Sequence, residues 1–231
     1  VVADKLQGGY GRKQVVFDAS FYVKRGEVVS IVGHNGAGKT TVLKTIFGML
    51  PTMGGKVSFN GEDVTTSSAS ANVKRGMSLI PAERFVFGNL SVNENLKLGA
   101  LHVKEATKTE ERRKAVLSQF PILVERNAQL AGTMSGGQQR MVSLGLALMS
   151  GPKLLLLDEP SLGLAPSIVI EIFQTIKRLA ENEGLSVLIL EQNIGQALRI
   201  ADRFYAMRSG RIFLEETAAQ MKARTDYWDL F

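Results

Sequence analysis

Eight residues, Gly33-His34-Asn35-Gly36-Ala37-Gly38-Lys39-Thr40, limit what this chain can fold into more than any other stretch. Glycines at these positions let successive backbone N–H groups turn inward around one anion, a path that side chains would obstruct. The pattern G-x-x-x-x-G-K-[ST] needs a strand before it and a helix after it, because the helix N-terminus supplies oriented donors and the positive end of its dipole. Val28-Val29-Ser30-Ile31-Val32 is a β-branched run suited to a strand buried on both faces, and Thr40 to Leu50 carries apolar residues at helical spacing. The expected occupant is a nucleoside triphosphate held by Gly33 to Thr41. Lys39 would reach the β- and γ-phosphates, and the Thr40 hydroxyl would ligate Mg²⁺.

Leu154-Leu155-Leu156-Leu157 delivers Asp158 at the carboxyl end of a second buried strand, with Glu159 next along. An aspartate so placed can hold Mg²⁺ through water, and the neighbouring glutamate can polarise a water for attack on a γ-phosphate. A third element, Ser135-Gly136-Gly137-Gln138, opens a helix running to about Met149. Two glycines in a first helical turn cost roughly 1 kcal/mol each against alanine. A serine cap explains Ser135 but not the glycines, which suit close approach of a phosphate to the backbone. Lys39 and its loop already form one cradle, so the second is expected to face a nucleotide held by another chain.

The rest of the chain reads as alternating strands and helices. The first fifty residues give strand (Phe17 to Val23), turn, strand, loop and helix. Lys56 to Phe59 is a hairpin strand between Gly54-Gly55 and Asn60-Gly61, and Met77 to Ile80 a short strand stopped by Pro81. From about 88 to 150 the texture is helical: a capping box of Ser91 with Glu94, a charged helix from Thr109 to Phe120 ended by Pro121, and the helix after Ser135. Strand texture returns at 153–157 and at Ser186 to Leu190, separated by a helix over Pro166 to Glu183. Phe204 to Met207 and Arg211 to Leu214 close as a hairpin. This order predicts an α/β fold, mostly parallel at its core, with residues 1–87 and 151–231 as core and 88–150 as a helical insertion.

Composition narrows the chemistry. The 231 residues include no cysteine, which removes disulfides, thiolate metal sites and cysteine nucleophiles. His34 and His102 are too few for a histidine-rich metal site. At 45% hydrophobic and 22% charged the chain is globular, and no apolar run reaches membrane-span length. The Val1-Val2-Ala3-Asp4-Lys5 start is no signal peptide, so a soluble, cytosolic protein is expected. The net charge of +6 is spread along the chain and selects no partner by itself.

The three elements in this order resemble the ATP-binding cassette family over essentially the whole chain. Met134-Ser135-Gly136-Gly137-Gln138 is similar to its signature motif, with methionine where leucine is usual. The resemblance implies a single cassette domain: a phosphate-loop NTPase with a RecA-like, mostly parallel core, an N-terminal antiparallel β subdomain and a helical subdomain insertion. It also places Tyr10 where an aromatic ring stacks on adenine. Asp158-Glu159-Pro160-Ser161-Leu162-Gly163-Leu164-Ala165-Pro166 and Leu190-Glu191-Gln192-Asn193 resemble the ATPase subunits of branched-chain amino-acid importers. In most cassettes Ala165 would be aspartate and Gln192 histidine. An amide at 192 can hydrogen-bond a γ-phosphate but cannot move a proton, which leaves Glu159 as the base.

One departure stands out. The glutamine or glutamate of the family's Q-loop falls on Ala82, within Pro81-Ala82-Glu83-Arg84. A methyl group cannot ligate Mg²⁺ or orient water, so either Glu83 substitutes after a one-residue shift or the site is weakened.

The resemblance implies an ATP-hydrolysing importer subunit using ATP and Mg²⁺, with catalytic residues Glu159, Gln192 and Lys39. Its partners would be a second cassette (as homo- or heterodimer), membrane permease subunits reached through the Phe85–Asn89 neighbourhood and, indirectly, a solute-binding protein. No nucleic acid is expected. The location implied is peripheral, on the cytoplasmic side of the membrane. The alternatives are a soluble cassette ATPase acting on nucleic acid or ribosomes, and a weakly active regulatory cassette. The chain has neither the second cassette nor the long coiled-coil insertion usual in the former, and its intact Lys39, Asp158 and Glu159 argue against the latter.

Overall fold

The computed structural model describes residues 1–83, 86–103 and 105–227. Val2–Tyr10 (β1) and Lys13–Tyr22 (β2) form an antiparallel hairpin, and Val28–Val32 (β3) leads through the glycine loop into Lys39–Phe47 (α1). Thr52–Phe59 (β4) returns to pair with β1 and turns at Asn60-Gly61 into Glu62–Asp63 (β5). Ala69–Arg75 (α2) precedes Met77–Ile80 (β6). Four helices follow: Val92–Gly99 (α3), Ala106–Gln119 (α4), Pro121–Glu125 (α5) and Gly136–Met149 (α6). The chain re-enters the core at Leu154–Asp158 (β7), then Pro166–Glu183 (α7), Ser186–Glu191 (β8) and Ile194–Ala197 (α8). It closes with Arg203–Arg208 (β9), Arg211–Thr217 (β10) and Ala218–Ala223 (α9).

Among the described residues the strands form two sheets, ordered β2-β1-β4-β5 and β10-β9-β3-β8-β7-β6. The first is antiparallel throughout. In the second, β9, β3, β8, β7 and β6 run parallel and β10 pairs antiparallel at the edge. The unbroken leucine run of β7 follows from burial on both faces. Leu154 and Leu156 face a core shared with Leu43 and Ile46 of α1 and Leu6 and Phe21 of the antiparallel sheet. Leu155 and Leu157 face the opposite core, shared with Ile172 and Ile176 of α7 and Val142 and Leu144 of α6.

Several sequence expectations shift. α1 stops at Phe47, not Leu50, because Gly48 adopts a left-handed cap (φ 84°) that bonds back to the Lys44 and Thr45 carbonyls. Gly54-Gly55 lie inside β4, not before it; Gly55 has φ 79°, and a Cβ there would stand 2.1 Å from the Lys5 carbonyl oxygen of β1. The charged helix begins at Ala106, and Pro121 also starts α5 at a position that needs no N–H. β1 was not expected, since it lacks clean alternation: its pairing with β2 shifts register repeatedly. α2 was also missed.

The insertion is held by close approach of α3 to α6. A Cβ on Gly99 would stand 2.1 Å from the Leu146 carbonyl oxygen, and one on Gly145 would meet Leu96 at 2.8 Å. Gly99→Ala is therefore expected to destabilise the fold by about 1–3 kcal/mol through overpacking, read as a lower denaturation midpoint. An unchanged midpoint would contradict the close-approach account.

Candidate active site

Parallel register assembles the site. Val32 lies opposite Glu191 and Asp158 opposite Leu190. The glycine loop, the Asp158-Glu159 pair and Gln192-Asn193 therefore leave neighbouring strands at the same carboxyl edge, where α/β sheets bind ligands. A Cβ on Gly33 would lie 2.2 Å from the Met207 carbonyl oxygen of β9, so only glycine fits that tight exit. Gly38 caps α1 in the left-handed region (φ 106°) with no side-chain cap bond, and among the described residues no side chain bonds the N–H groups of the first turn. His34, Asn35 and Gly36 are exposed, Ala37, Gly38 and Lys39 buried, Thr40 half-buried, and Thr41 buried on α1.

Lys39 is 4% exposed. Its Nζ donates to the carbonyls of Gly33 at 2.6 Å and His34 at 3.1 Å, and lies 3.5 Å from Glu159 Oε1. Thr40 Oγ1 donates to Asp158 at 3.0 and 3.2 Å. Burial raises the Asp158 pKa and the Thr40 bond partly offsets it; the nearby Glu159 carboxylate raises it further, and Lys39 and Lys44 lower it. Glu159 itself sits in the left-handed region (φ 45°), its N–H bonded to the Leu190 carbonyl. That conformation costs on the order of 1 kcal/mol for a residue with a Cβ and aims the side chain at Lys39.

The hard-oxygen pair of Thr40 and Asp158 fits Mg²⁺, which takes one or two protein oxygens and completes its shell with water and phosphate. No cluster of three or more His, Asp or Glu among the described residues could hold a metal. Tyr10, at the end of β1, is 46% exposed with the Lys44 ammonium 6.0 Å from its ring centroid. An accessible π-face of this kind can stack a base. His34, Glu159, Ser161, Leu162, Gly163 and Gln192 line an open cleft of about 550 Å³.

Ser135 and Gln138 cap α6 reciprocally. The two glycines differ in their surroundings. A Cβ on Gly137 would meet Ile168 of α7 at 2.8 Å, so packing within the chain also requires a glycine there. Gly136 is exposed, its nearest neighbour 4.0 Å from a Cβ. Among the described residues no hydrogen bond or ion pair joins Ser135–Gln138 to the glycine loop or Asp158.

Ala82 is half-buried, while Glu83 is exposed and bonds to neither Thr40 nor Asp158. Phe85 lies outside the described residues; the following Phe87 is 56% exposed, and its N–H and carbonyl are both held by the buried Asn95 side chain.

Sequence reasoning missed three polar side chains. Arg140 is buried in α6 and donates to the carbonyls of Pro81 and Ala82. Glu191, buried at the end of β8, accepts from the Ser161 N–H at 3.1 Å and hydroxyl at 3.0 Å, pinning the loop after Glu159. Burial raises its pKa against those bonds. Asn95 is the third. A charge or amide inside an otherwise apolar helix or strand was the available signal.

Fold and site together define a phosphate-loop nucleotide-binding protein. A family model described as ABC transporter matches residues 16–162. The chain is 44% identical over 94% of its length to the high-affinity branched-chain amino acid transport ATP-binding protein BraG of Pseudomonas aeruginosa, covering 93% of that protein. It is 36% identical to a probable branched-chain amino acid transport ATP-binding protein, LivF, of Archaeoglobus fulgidus (94% and 92% covered). It is 33% identical to the lipopolysaccharide export system ATP-binding protein LptB of Escherichia coli (96% and 92% covered). A crystal structure of an ATP-binding cassette of an ABC transporter in its ADP conformation superposes with TM-score 0.86 at 27% identity, covering 96% of this chain and 92% of that one. The chain belongs to the ABC transporter family. Its fold is that of the family's ATPase cassettes.

Lys39→Ala is expected to weaken ATP binding at least a hundredfold by calorimetry while leaving far-UV circular dichroism unchanged, because it removes the cation facing the phosphates. Parental affinity in that variant would overturn the phosphate-loop assignment.

Asp158 yields a pH prediction. Its folded pKa is raised, so its protonated form favours folding at low pH and that stability is lost as pH rises through the folded pKa. Asp158→Asn removes the titration. The melting-temperature gain of Asp158→Asn over the parent, without nucleotide, should be larger at pH 8 than at pH 4; a gain that shrinks with pH would refute the burial account.

Proposed function

We propose that the chain is the ATP-binding and ATP-hydrolysing subunit of an importer for branched-chain or related amino acids. The observation that carries the reading is the convergence of Lys39, the Thr40–Asp158 pair and Glu159 at one sheet edge. The relatives named for branched-chain amino acid transport support the choice of solute.

Lys39 and the loop N–H groups would hold the β- and γ-phosphates, and Tyr10 would stack on the adenine. Thr40 and Asp158 would hold Mg²⁺, which when bound supplies positive charge at the phosphates. Glu159 accepts the proton of the attacking water; its left-handed backbone and the Leu190 carbonyl fix its position. The Gln192 amide is exposed in the same cleft and can donate to a γ-phosphate oxygen.

Ser135, Gly136, Gly137 and Gln138 would serve the γ-phosphate of a nucleotide bound to a second cassette, either another copy or a sister chain. Residues 88–150 would form a helical unit beside a core of 1–87 and 151–231. Among the described residues no helix is long and apolar enough to cross a membrane. By analogy with the transport relatives, translocation would use separate permease subunits, with this chain on the cytoplasmic side. The docking place is an apolar groove between core and insertion, lined by Phe47, Val73, Leu79, Leu98 and Leu146. Phe87, Met49 and Leu101 are exposed, 56%, 55% and 78%, and Phe87 lines the groove.

Glu159→Gln keeps the side-chain size but cannot take the proton, so hydrolysis should slow by orders of magnitude while binding survives. With Mg-ATP this variant should elute from size exclusion as an ATP-dependent dimer, or as a heterodimer when a sister cassette is supplied. Adding Ser135→Arg should abolish the dimer by placing a long side chain where the phosphate docks. A dimer indifferent to ATP and to Ser135→Arg would sink the trans-site reading.

A further inference from the structure

Arg140 heads the largest fully buried side chains among the described residues, 2% exposed on α6, with Met141, Val142 and Leu144 buried after it. A cation in such a place is costly unless it is paired and bonded. Nη1 donates to the Pro81 carbonyl at 3.0 Å and Nη2 to the Ala82 carbonyl at 3.1 Å. The guanidinium fork is therefore spread over two consecutive peptide groups, a geometry that lysine cannot copy. Pro81 follows Ile80, the last residue of β6, and Ile80 lies opposite Leu157, the residue before Asp158. Burial pulls the Arg140 pKa down to about 10, and the attraction of Glu191 and Asp158 opposes that pull. The same helix carries Ser135 at its N-terminus, five residues earlier.

We propose that Arg140 is a positioning residue for hydrolysis, clamping α6 and the Ser135 end of the insertion to the loop after β6. The partners of the guanidinium fork are backbone carbonyls of the loop after β6, so the lock is expected to act on geometry and not on binding. Without it, the Pro81 and Ala82 carbonyls lose these donors and α6 is freed to shift against β6. The inference rests on the ATPase reading, and the experiment separates the two.

The chain has no cysteine, so a pair can be introduced cleanly. Lys24→Cys on the core and Lys114→Cys on α4, both exposed, would carry spin labels. The label-to-label distance distribution is measured by pulsed electron resonance without turnover, and steady-state ATPase is measured on the unlabelled chain. Arg140→Gln is expected to broaden the distribution. It is also expected to lower kcat by about tenfold with KM for ATP within about threefold, the mark of lost positioning rather than lost binding. Arg140→Lys, which keeps the charge but reaches one carbonyl, should fall between parent and glutamine in both readouts, and it serves as the test variant if Arg140→Gln does not fold. An unchanged distribution, whatever the rate, overturns the proposal, as does a kcat within about twofold of the parent or a KM that rises as kcat falls. A parent without ATPase activity would instead count against the enzyme reading and leave the distance result to decide the lock.

Discussion

The register of three parallel strands is the constraint on which the site depends. Val32 opposite Glu191 and Asp158 opposite Leu190 bring three loops out side by side. Slipping β7 by one residue would turn Leu155 and Leu157 toward the wrong core and swing Asp158 away from Thr40. Burial on both faces prevents that slip, since each face of β7 meets a different set of apolar side chains. The hydrophobic cores thus hold the 3.0 Å Thr40–Asp158 contact in place from well outside it.

Polar side chains tie the outlying parts to this frame. Arg203 grips Glu27 through two nitrogens, at 2.9 and 2.8 Å, bonds Glu215 at 2.8 Å and stacks on the Tyr22 ring at 3.6 Å. It links the end of β2 to β9 and β10, and its attraction to Glu27 contributes to holding that carboxylate below its ordinary pKa despite burial. Glu191 and Arg140 do the corresponding work nearer Asp158 and Glu159: one pins the loop after Glu159, the other the loop after β6. These buried ionic contacts cost desolvation, and what they confer is definite geometry.

The glycines divide by cause. Gly33 and Gly38 serve the phosphate loop, one by fitting under the Met207 carbonyl and one by a left-handed turn. Gly99, Gly137 and Gly145 serve helix packing, where a Cβ would collide with a neighbour. Gly136 differs from them: its nearest neighbour would lie 4.0 Å from a Cβ, so packing does not demand a glycine there.

Local patterns decided a great deal. Gly33 to Thr40 between a β-branched run and an apolar helix, Leu154 to Asp158, and the caps at Ser91 and Ser135 each state their structure through steric and hydrogen-bonding rules that act over a few residues. These were legible in the chain, as was the α/β class. The register-shifted β1 was not, because its pairing with β2 and β4 is set across the sheet and not by its own alternation. Nor was the partnership of Arg140 with the carbonyls of Pro81 and Ala82, 59 and 58 residues away, or of Glu191 with Ser161. The sequence by itself determined which residues could cradle a phosphate, because that depends on adjacent backbone units. Tertiary structure decided which buried charges face one another, because those contacts exist only after distant strands and helices have packed.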